Sequence, residues 1–449
     1  MTIRLETIRD CLEGAVPGYV ATCDPDGTPN ITALSQVQYV DERHLALSYQ
    51  FFNKTRRNIL ANPTARLQVT SPLTAAQYRM TLRYLRTETQ GPLFETMKAK
   101  LAGIASHEGM TGVFRLLGSD VFEVLEIELV PGQPLPPPAQ PSRMTALRSS
   151  AARLAAAQDL ESLLGGILDC MEKDFDIGHT MVLMADTAGR KLYTLATRGY
   201  DRSGIGSEIP MGEGVIGVCA RMATPIRIGH ATSEYGYGRA LRRSAEEEGM
   251  GDRLDTRIPL PGLAEPASQL AIPIQARGRL LGVLYVESPQ DSRFTYDDED
   301  ALMVVAAQFG MVVQDLETGQ EPPEDPASEP PEPPPGCVGG GPLVVRHYAE
   351  DDSIFLDGDY LIKGVAGSIF WTLVRDHVTL QRTTFNNREL RLDPRIKLPG
   401  LSDNLEARLV LLGRRLVERE ACVRMEKTGR GRFRLCVERA LHLEDVPQS

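Results

Sequence analysis

Two proline-rich breaks limit what this chain can fold into. Pro131 to Pro141 reads P-G-Q-P-L-P-P-P-A-Q-P, a short stiff connector. Gln320 to Pro342 carries acids and prolines but no basic residue, and it closes on a glycine run. Such a stretch has too little apolar surface to bury, so it reads as extended linker ending in a flexible hinge. The 449 residues are enough for about three domains, each with its own core. The blocks fall at 1–130, 142–318 and 343–446, with connectors at 131–141 and 319–342. The sequence contains no internal repeat.

Composition narrows the class. Hydrophobic residues make up 42% and charged residues 24%, ordinary for a globular protein. No apolar run approaches the roughly 18 residues of a membrane helix. The start, Met1 to Glu6, lacks a secretory apolar region. The seven cysteines are scattered without a C-x-x-C pair, which argues against structural zinc or a disulfide framework and fits a reducing cytoplasm. Charge is uneven. Leu343 to Ser449 holds 18 basic and 16 acidic residues, whereas the rest holds 31 and 44. Leu405 to Arg434 concentrates nine basic against four acidic residues, so an anionic partner is expected there, or else a solvated surface.

In the middle block, Leu270, Ile272 and Ile274 alternate as a buried strand face. Arg277-Gly278-Arg279 is turn chemistry, and Leu281 to Val286 reads as the antiparallel return. Thr295 with Asp298 forms a capping box, followed by a helical stripe of Leu302, Val305, Phe309 and Val312. Leu160, Leu164, Ile167, Met171 and Phe175 form another stripe upstream. The order P-M-G-E-G-V-I-G-V-C-A-R-M-A-T-P-I-R-I (Pro210 to Ile228), Q-L-A-I-P-I-Q-A-R-G-R-L-L-G-V-L-Y-V-E (Gln269 to Glu287) and F-T-Y-D-D-E-D-A-L (Phe294 to Leu302) resembles the GAF family of small-molecule sensors. The resemblance implies a ligand, which it does not name. Phe294 and Asp298-Glu299 resemble part of a cyclic-nucleotide GAF motif but serve equally as a helix cap. Cys219 falls on an apolar helix and reads as core, and His230 faces either pocket or solvent. Gly212, Gly214 and Gly217 spell G-x-G-x-x-G, yet no parallel-sheet pattern surrounds them, so they read as a tight loop into a helix.

The first block is β-rich. Strands are expected at Tyr19–Cys23, Asn30–Val40, His44–Gln50, Arg66–Thr70 and Val121–Leu129, with helices at Thr55–Ala61 and Pro92–Ser106. The segments Gly18 to Thr32 and N-K-T-R-R-N-I-L-A-N-P-T-A-R-L (Asn53 to Leu67) resemble the pyridoxamine 5′-phosphate oxidase-like FMN-binding split barrels. The spacing Lys54, Asn58, Asn62-Pro63 is the specific part. The resemblance implies FMN bound at a homodimer interface. Lys54, Arg56 and Arg57 cluster at a helix start, where free N–H groups and the dipole also favour a phosphate. Thr32, Ser35 and Ser48 on adjacent strands would add hydroxyls, and Asn58 joins the set through the motif. The plain alternative is a solvated basic helix start. A true oxidase carries an arginine- and tryptophan-containing substrate segment after the barrel; here the chain passes into prolines, and its one tryptophan, Trp371, lies in another block. His107-Glu108 opens an H-E-x-x-H motif, but Thr111 stands in the second histidine's place, so no zinc site follows.

The third block resembles a winged helix of the OmpR/PhoB type. The carrying residues are S-I-F-L-D-G-D-Y-L (Ser353 to Leu361), helices at Gly364–Asp376 and Asn386–Leu392, and a hairpin from Val423 to Leu435 with Gly429 and Gly431 at its tip. Leu405, Leu409, Leu412 and Leu416 share one helical face, with Arg408, Arg415 and Arg419 on another. The resemblance implies duplex DNA as partner, with Arg408, Arg415 and Arg419 on the helix and Lys427, Arg430 and Arg432 on the wing. Val410 and Leu411 are apolar where such a helix usually shows polar residues, and Gly413 stands near an expected arginine. Those departures suit a winged helix used for protein contacts.

The expected fold class is therefore a multidomain chain: β-rich split barrel, α/β GAF domain and winged-helix α+β domain. The expected function is a cytoplasmic one-component signalling protein, a homodimer that regulates transcription. The rivals are an FMN-dependent oxidoreductase regulated by its GAF domain, and a non-catalytic docking adaptor.

Overall fold

The computed structural model describes residues 3–12, 16–34, 36–49, 53–107, 116–137, 142–186, 188–229, 258–264, 266–318, 341–396, 398, 404–429 and 431–446. In the first block, Gly18–Cys23 (β1), Pro29–Leu34 (β2), Val37–Tyr39 (β3), His44–Tyr49 (β4), Thr64–Thr70 (β5), Gln77–Glu88 (β6) and Gly118–Leu129 (β7) make one sheet. Its order is β2-β1-β5-β6-β7-β4-β3, antiparallel throughout. Two register shifts in the long β6–β7 ladder bend it into a half-barrel. Leu12, Val20, Leu45, Leu67, Met80, Leu82 and Phe122 fill the concave side. Helices Asn53–Ala61 (α1) and Pro92–His107 (α2) lie where the sequence places them. The strand expected over Asn30–Val40 is two strands. Strand β6 is an addition: exposed Arg79 and Arg83 flank the buried Met80 and Leu82, so its apolar signal is carried by one face only.

The middle block contains Arg143–Ala155 (α3), Leu160–Asp169 (α4), His179–Asp186 (β8), Lys191–Arg198 (β9), Glu208–Pro210 (β10), Gly214–Met222 (α5), Ile226–Ile228 (β11), Ser268–Ala276 (β12), Arg279–Ser288 (β13) and Tyr296–Thr318 (α6). The sheet runs β10-β9-β8-β13-β12-β11. Helices α3, α4 and α6 cover one face, through Leu160, Leu164, Ile167, Leu302, Val305 and Phe309, joined by Met171 and Phe175 from the turn after α4. Helix α5 covers the other, against Met181, Leu183, Ala271 and Val283. Both faces being covered, β12 is buried almost throughout rather than on alternate residues. Arg277 and Gly278 both take positive φ, the turn that joins β12 to β13. Thr295 N and Oγ1 donate to Asp298 Oδ2 at 2.9 Å, and Asp298 N donates back to Thr295 Oγ1, completing the cap of α6.

The third block contains Leu343–Tyr348 (β14), Ser353–Leu356 (β15), Asp359–Ile362 (β16), Gly364–Leu380 (α7), Thr384–Asn386 (β17), Asn387–Leu392 (α8), Leu405–Glu418 (α9), Val423–Gly429 (β18), Arg432–Val437 (β19) and Leu441–Val446 (β20). One sheet is ordered β16-β15-β14-β20, with β14 and β20 parallel; a second is β17-β19-β18. Asn386 and Asn404 cap α8 and α9 by accepting from Glu389 N and Ala407 N.

The blocks are packed together. The apolar cluster behind the middle sheet runs without a break into the core of the third block. Helix α2 lies on α5, and Arg9 reaches Asp300 on α6 at 2.8 Å. No described helix is long and apolar enough to cross a membrane.

Candidate functional site

Three arrangements of polar side chains stand out. The first is at the start of α1. The three cations expected to act together there are divided by helix geometry. Lys54 and Arg57, one turn apart, are exposed on one face, and neither has an ion-pair partner among the described residues. Arg56 turns inward. Its guanidinium stacks over Tyr49 at 4.5 Å, donates to Thr87 Oγ1 at 2.6 Å and pairs with Asp120. It shares a small pocket with Val20, Leu47, Ser48, Thr55 and Phe122. Thr32 Oγ1 lies 2.9 Å from Thr55 Oγ1, and Asn30 Nδ2 donates to the same Thr55 oxygen at 2.9 Å. Ser48 is buried opposite Ser119 on β7, and neither hydroxyl has a partner among the described residues. Asn58 is buried and donates to Thr22 Oγ1 at 3.1 Å, fastening α1 to β1. It therefore braces the site from behind rather than facing a ligand beside Lys54. Ser35 lies outside the described residues.

The second arrangement is on the α5 side of the middle sheet. Strand register aligns Gln269, Glu287 and His179 side by side across β12, β13 and β8. Glu287 is buried, accepting from Leu263 N at 2.7 Å and from Tyr285 Oη at 3.0 Å. Tyr200 packs against the His179 ring, and burial together with Glu287 pushes its phenol pKa upward. No spacing rule finds this polar row, because its members come from three strands and meet only once register is known. His230 lies outside the described residues. Cys219 is fully buried on α5 and its thiol is pushed well above the ordinary range, so it is core.

The third arrangement involves α9. Arg408 and Arg415, expected on a DNA-facing surface, are both buried, at 5% and 4% exposure. Arg408 lies over Tyr193 of β9 at 4.2 Å and reaches Asp186 of β8 at 3.1 Å. Arg415 donates to Leu361 O at 3.0 Å and to Glu418 Oε2 at 2.5 Å. Between them, Arg414 donates to Glu161 Oε1 at 2.7 Å and to Leu195 O at 3.0 Å. Leu411 is buried as well, and with Arg415 it flanks Gly206 in the β9–β10 loop. The face expected to read bases is thus packed on the middle block. That packing is the physical reason why Leu411 is apolar. Arg419 and Arg432 are exposed, Lys427 is exposed but pairs with Asp159, and Arg430 lies outside the described residues. Burial alone would raise the Asp159 carboxyl; Lys427 and Ser162 outweigh it and hold it at about 2.

Comparison with known proteins assigns the first two blocks. Residues 5–123 match the pyridoxamine 5′-phosphate oxidase family. Residues 159–313 match the GAF domain. Similar solved structures include an FMN-binding protein from Syntrophomonas wolfei subsp. wolfei, 17% identical, covering 28% of this chain and 86% of that one at a TM-score of 0.25. The GAF domain of an Acinetobacter phosphoenolpyruvate-protein phosphotransferase is 16% identical, covering 41% and 100% at a TM-score of 0.32. Free methionine-R-sulfoxide reductase from Neisseria meningitidis is 17% identical, covering 39% and 92% at 0.29. No curated protein matches the chain.

Within the GAF unit the glycine fingerprint is structural. Its sheet is antiparallel and β10 is an edge strand, so the described residues contain no βαβ unit to seat a dinucleotide. A Cβ at Gly217 would lie 2.4 Å from Pro210 O, which explains the glycine by close approach. Asp298 and Glu299 are likewise engaged internally, by Arg143 at 2.5 Å and Arg227 at 2.9 Å. The described residues contain no metal-ligating cluster.

Proposed function

We propose that this chain is a signal-transduction protein in which the half-barrel and GAF units receive a small-molecule signal and the third block, a winged helix, delivers the output to duplex DNA. The observation that carries the reading is the docking of α9 on the GAF unit, which ties the state of the sensor to the availability of an output helix. The order α7, β17, α8, α9 and the β18–β19 hairpin supports the winged-helix assignment. Exposed Arg419 and Arg432 give that block cations for phosphate contacts.

The half-barrel is read as a flavin site. FMN, when bound, would supply redox chemistry. Lys54 and Arg57, exposed at the start of α1 and without an ion-pair partner among the described residues, are placed to neutralise its phosphate, with the Thr32–Thr55 hydroxyl pair beside them and Asn58 holding the helix. The GAF unit takes its own ligand on the α5 face, where Glu287 and Tyr200 supply polar contacts. A homodimer joined through the half-barrel completes the reading.

Mobility shift of the full chain on duplex DNA tests the output. Binding should be measurable at about 50 mM salt and fall steeply by about 200 mM, and Arg432→Ala should reduce the salt slope by about 0.9. A chain that binds no duplex at about 50 mM salt, whether docked or with α9 released by the substitution given below, contradicts DNA output. The third block then acts as a protein-contact module, a second reading that the buried, apolar Leu411 favours.

A further inference from the structure

The surface of the GAF unit that faces α9 is built for that helix. It offers Asp186 and the ring of Tyr193 to Arg408, and the carboxylate of Glu161 with the carbonyl of Leu195 to Arg414. Asp159 pairs with Lys427 of the hairpin, and Ser203 of the β9–β10 loop donates to Glu418 at the end of α9. On one side stand carboxylates from β8, α4 and the residue capping α4. On the other stand cations from α9 and β18. These are the positions at which a winged helix of this kind would meet nucleic acid.

Resting on the winged-helix reading above, we propose that the GAF unit acts as an intramolecular competitor of nucleic acid: its acidic, aromatic face occupies α9 and the adjacent hairpin, and the chain binds a polyanion strongly only when that contact opens. Three observations support the competition. Arg408 is nearly as buried as a core residue, so a phosphate cannot reach it while Asp186 does. Leu411 and Arg415 sit against the Gly206 loop, which leaves no space for a duplex on that side of the helix. The charge pattern is complementary, so the contact and DNA compete for the same cations rather than for different surfaces.

The test uses the full chain. Asp186→Asn keeps the shape of the side chain and the Oδ1 that accepts from Gly189 N at 2.9 Å, so the GAF turn is retained. It removes the carboxylate that Arg408 meets across the contact at 3.1 Å, which weakens the hold of the GAF unit on α9. Small-angle scattering should then show a larger radius of gyration, and duplex affinity at about 50 mM salt should rise at least tenfold. The double variant Asp186→Asn/Arg408→Met removes the buried charge while keeping an apolar stem, and it should return the scattering profile to that of the unmodified chain. Unchanged scattering and unchanged affinity in Asp186→Asn would overturn the proposal. So would an expanded profile in Asp186→Asn that the double variant fails to reverse. Expansion that the double variant reverses, without any duplex binding, would keep the intramolecular contact but refute the winged-helix DNA reading on which the competition rests.

Discussion

Arg408 of α9 reaches across to the GAF sheet, its guanidinium 4.2 Å above the Tyr193 ring and 3.1 Å from Asp186. Neither charged partner is accessible to solvent to any useful degree. Removing one member of such a pair leaves the other uncompensated, at a cost of about 3–5 kcal/mol. Arg408→Ala should therefore weaken the contact between the GAF unit and the third block by that order. Calorimetry should show the two blocks unfolding together in the unmodified chain and at separate temperatures in the variant. A single unchanged transition would mean that the pair contributes nothing to coupling.

The Asp159–Lys427 contact should fail in acid. Asp159 titrates at about 2 in the folded chain against an ordinary value of 3.8. A lowered carboxyl pKa gives stability that is complete above the unfolded value and disappears as pH falls through the folded one. The expected window is pH 4 to 2, read as a loss of stability of the third block against denaturant. Asp159→Asn retains an oxygen to cap α4 but has no charge to lose, and it should flatten that limb of the profile.

His347 predicts the opposite slope. It stacks on Trp371 at 4.8 Å, with Nδ1 2.8 Å from Asp445 and Nε2 3.1 Å from Asp352. Burial alone would lower its pKa, but the two carboxylates outweigh burial and raise it above 6.5. The imidazolium therefore stabilises the β14–β20 pairing fully below pH 6.5, and the contribution is lost as pH rises through the raised folded value. Fluorescence of Trp371, the only tryptophan, should follow this titration. Asp352→Asn should move its midpoint downward, and a midpoint that does not move would show that Asp352 is not a partner in solution.

For the half-barrel, each charge-assisted contact to a phosphate contributes about 1.5–3 kcal/mol. Lys54→Ala should weaken FMN binding by roughly 10- to 100-fold, measured by flavin titration. Arg56→Ala should instead act through stability, because Arg56 pairs with Asp120 inside the pocket. An unmodified chain that takes up no flavin would remove the cofactor from the account.

Much of the architecture is legible in the sequence wherever one face of an element is apolar and its ends are marked. The Thr295–Asp298 cap, the Arg277-Gly278 turn, the Leu160 to Phe175 stripe and α1 fall in place for that reason. Strand β6 escapes because its arginines dilute the pattern, and α3 because its Ala- and Ser-rich stretch carries only a weak stripe. The sites are less legible. That Arg56 turns inward while Lys54 and Arg57 turn outward depends on what the sheet places beneath α1. The row of Gln269, Glu287 and His179 depends on register between strands distant in sequence. The apolar Val410 and Leu411 are the local sign that α9 meets protein. It cannot say which protein, because the partner is another block of the same chain.

Arginine-directed chemical labelling of the intact protein, read residue by residue by mass spectrometry, tests the docked helix most directly. Arg419 and Arg432, both exposed, should label quickly, whereas Arg408, Arg414 and Arg415 should label far more slowly under native conditions and at comparable rates once the protein is unfolded. Native labelling of Arg408 and Arg415 as fast as Arg419 would contradict the account, because α9 would then stand free of the GAF unit.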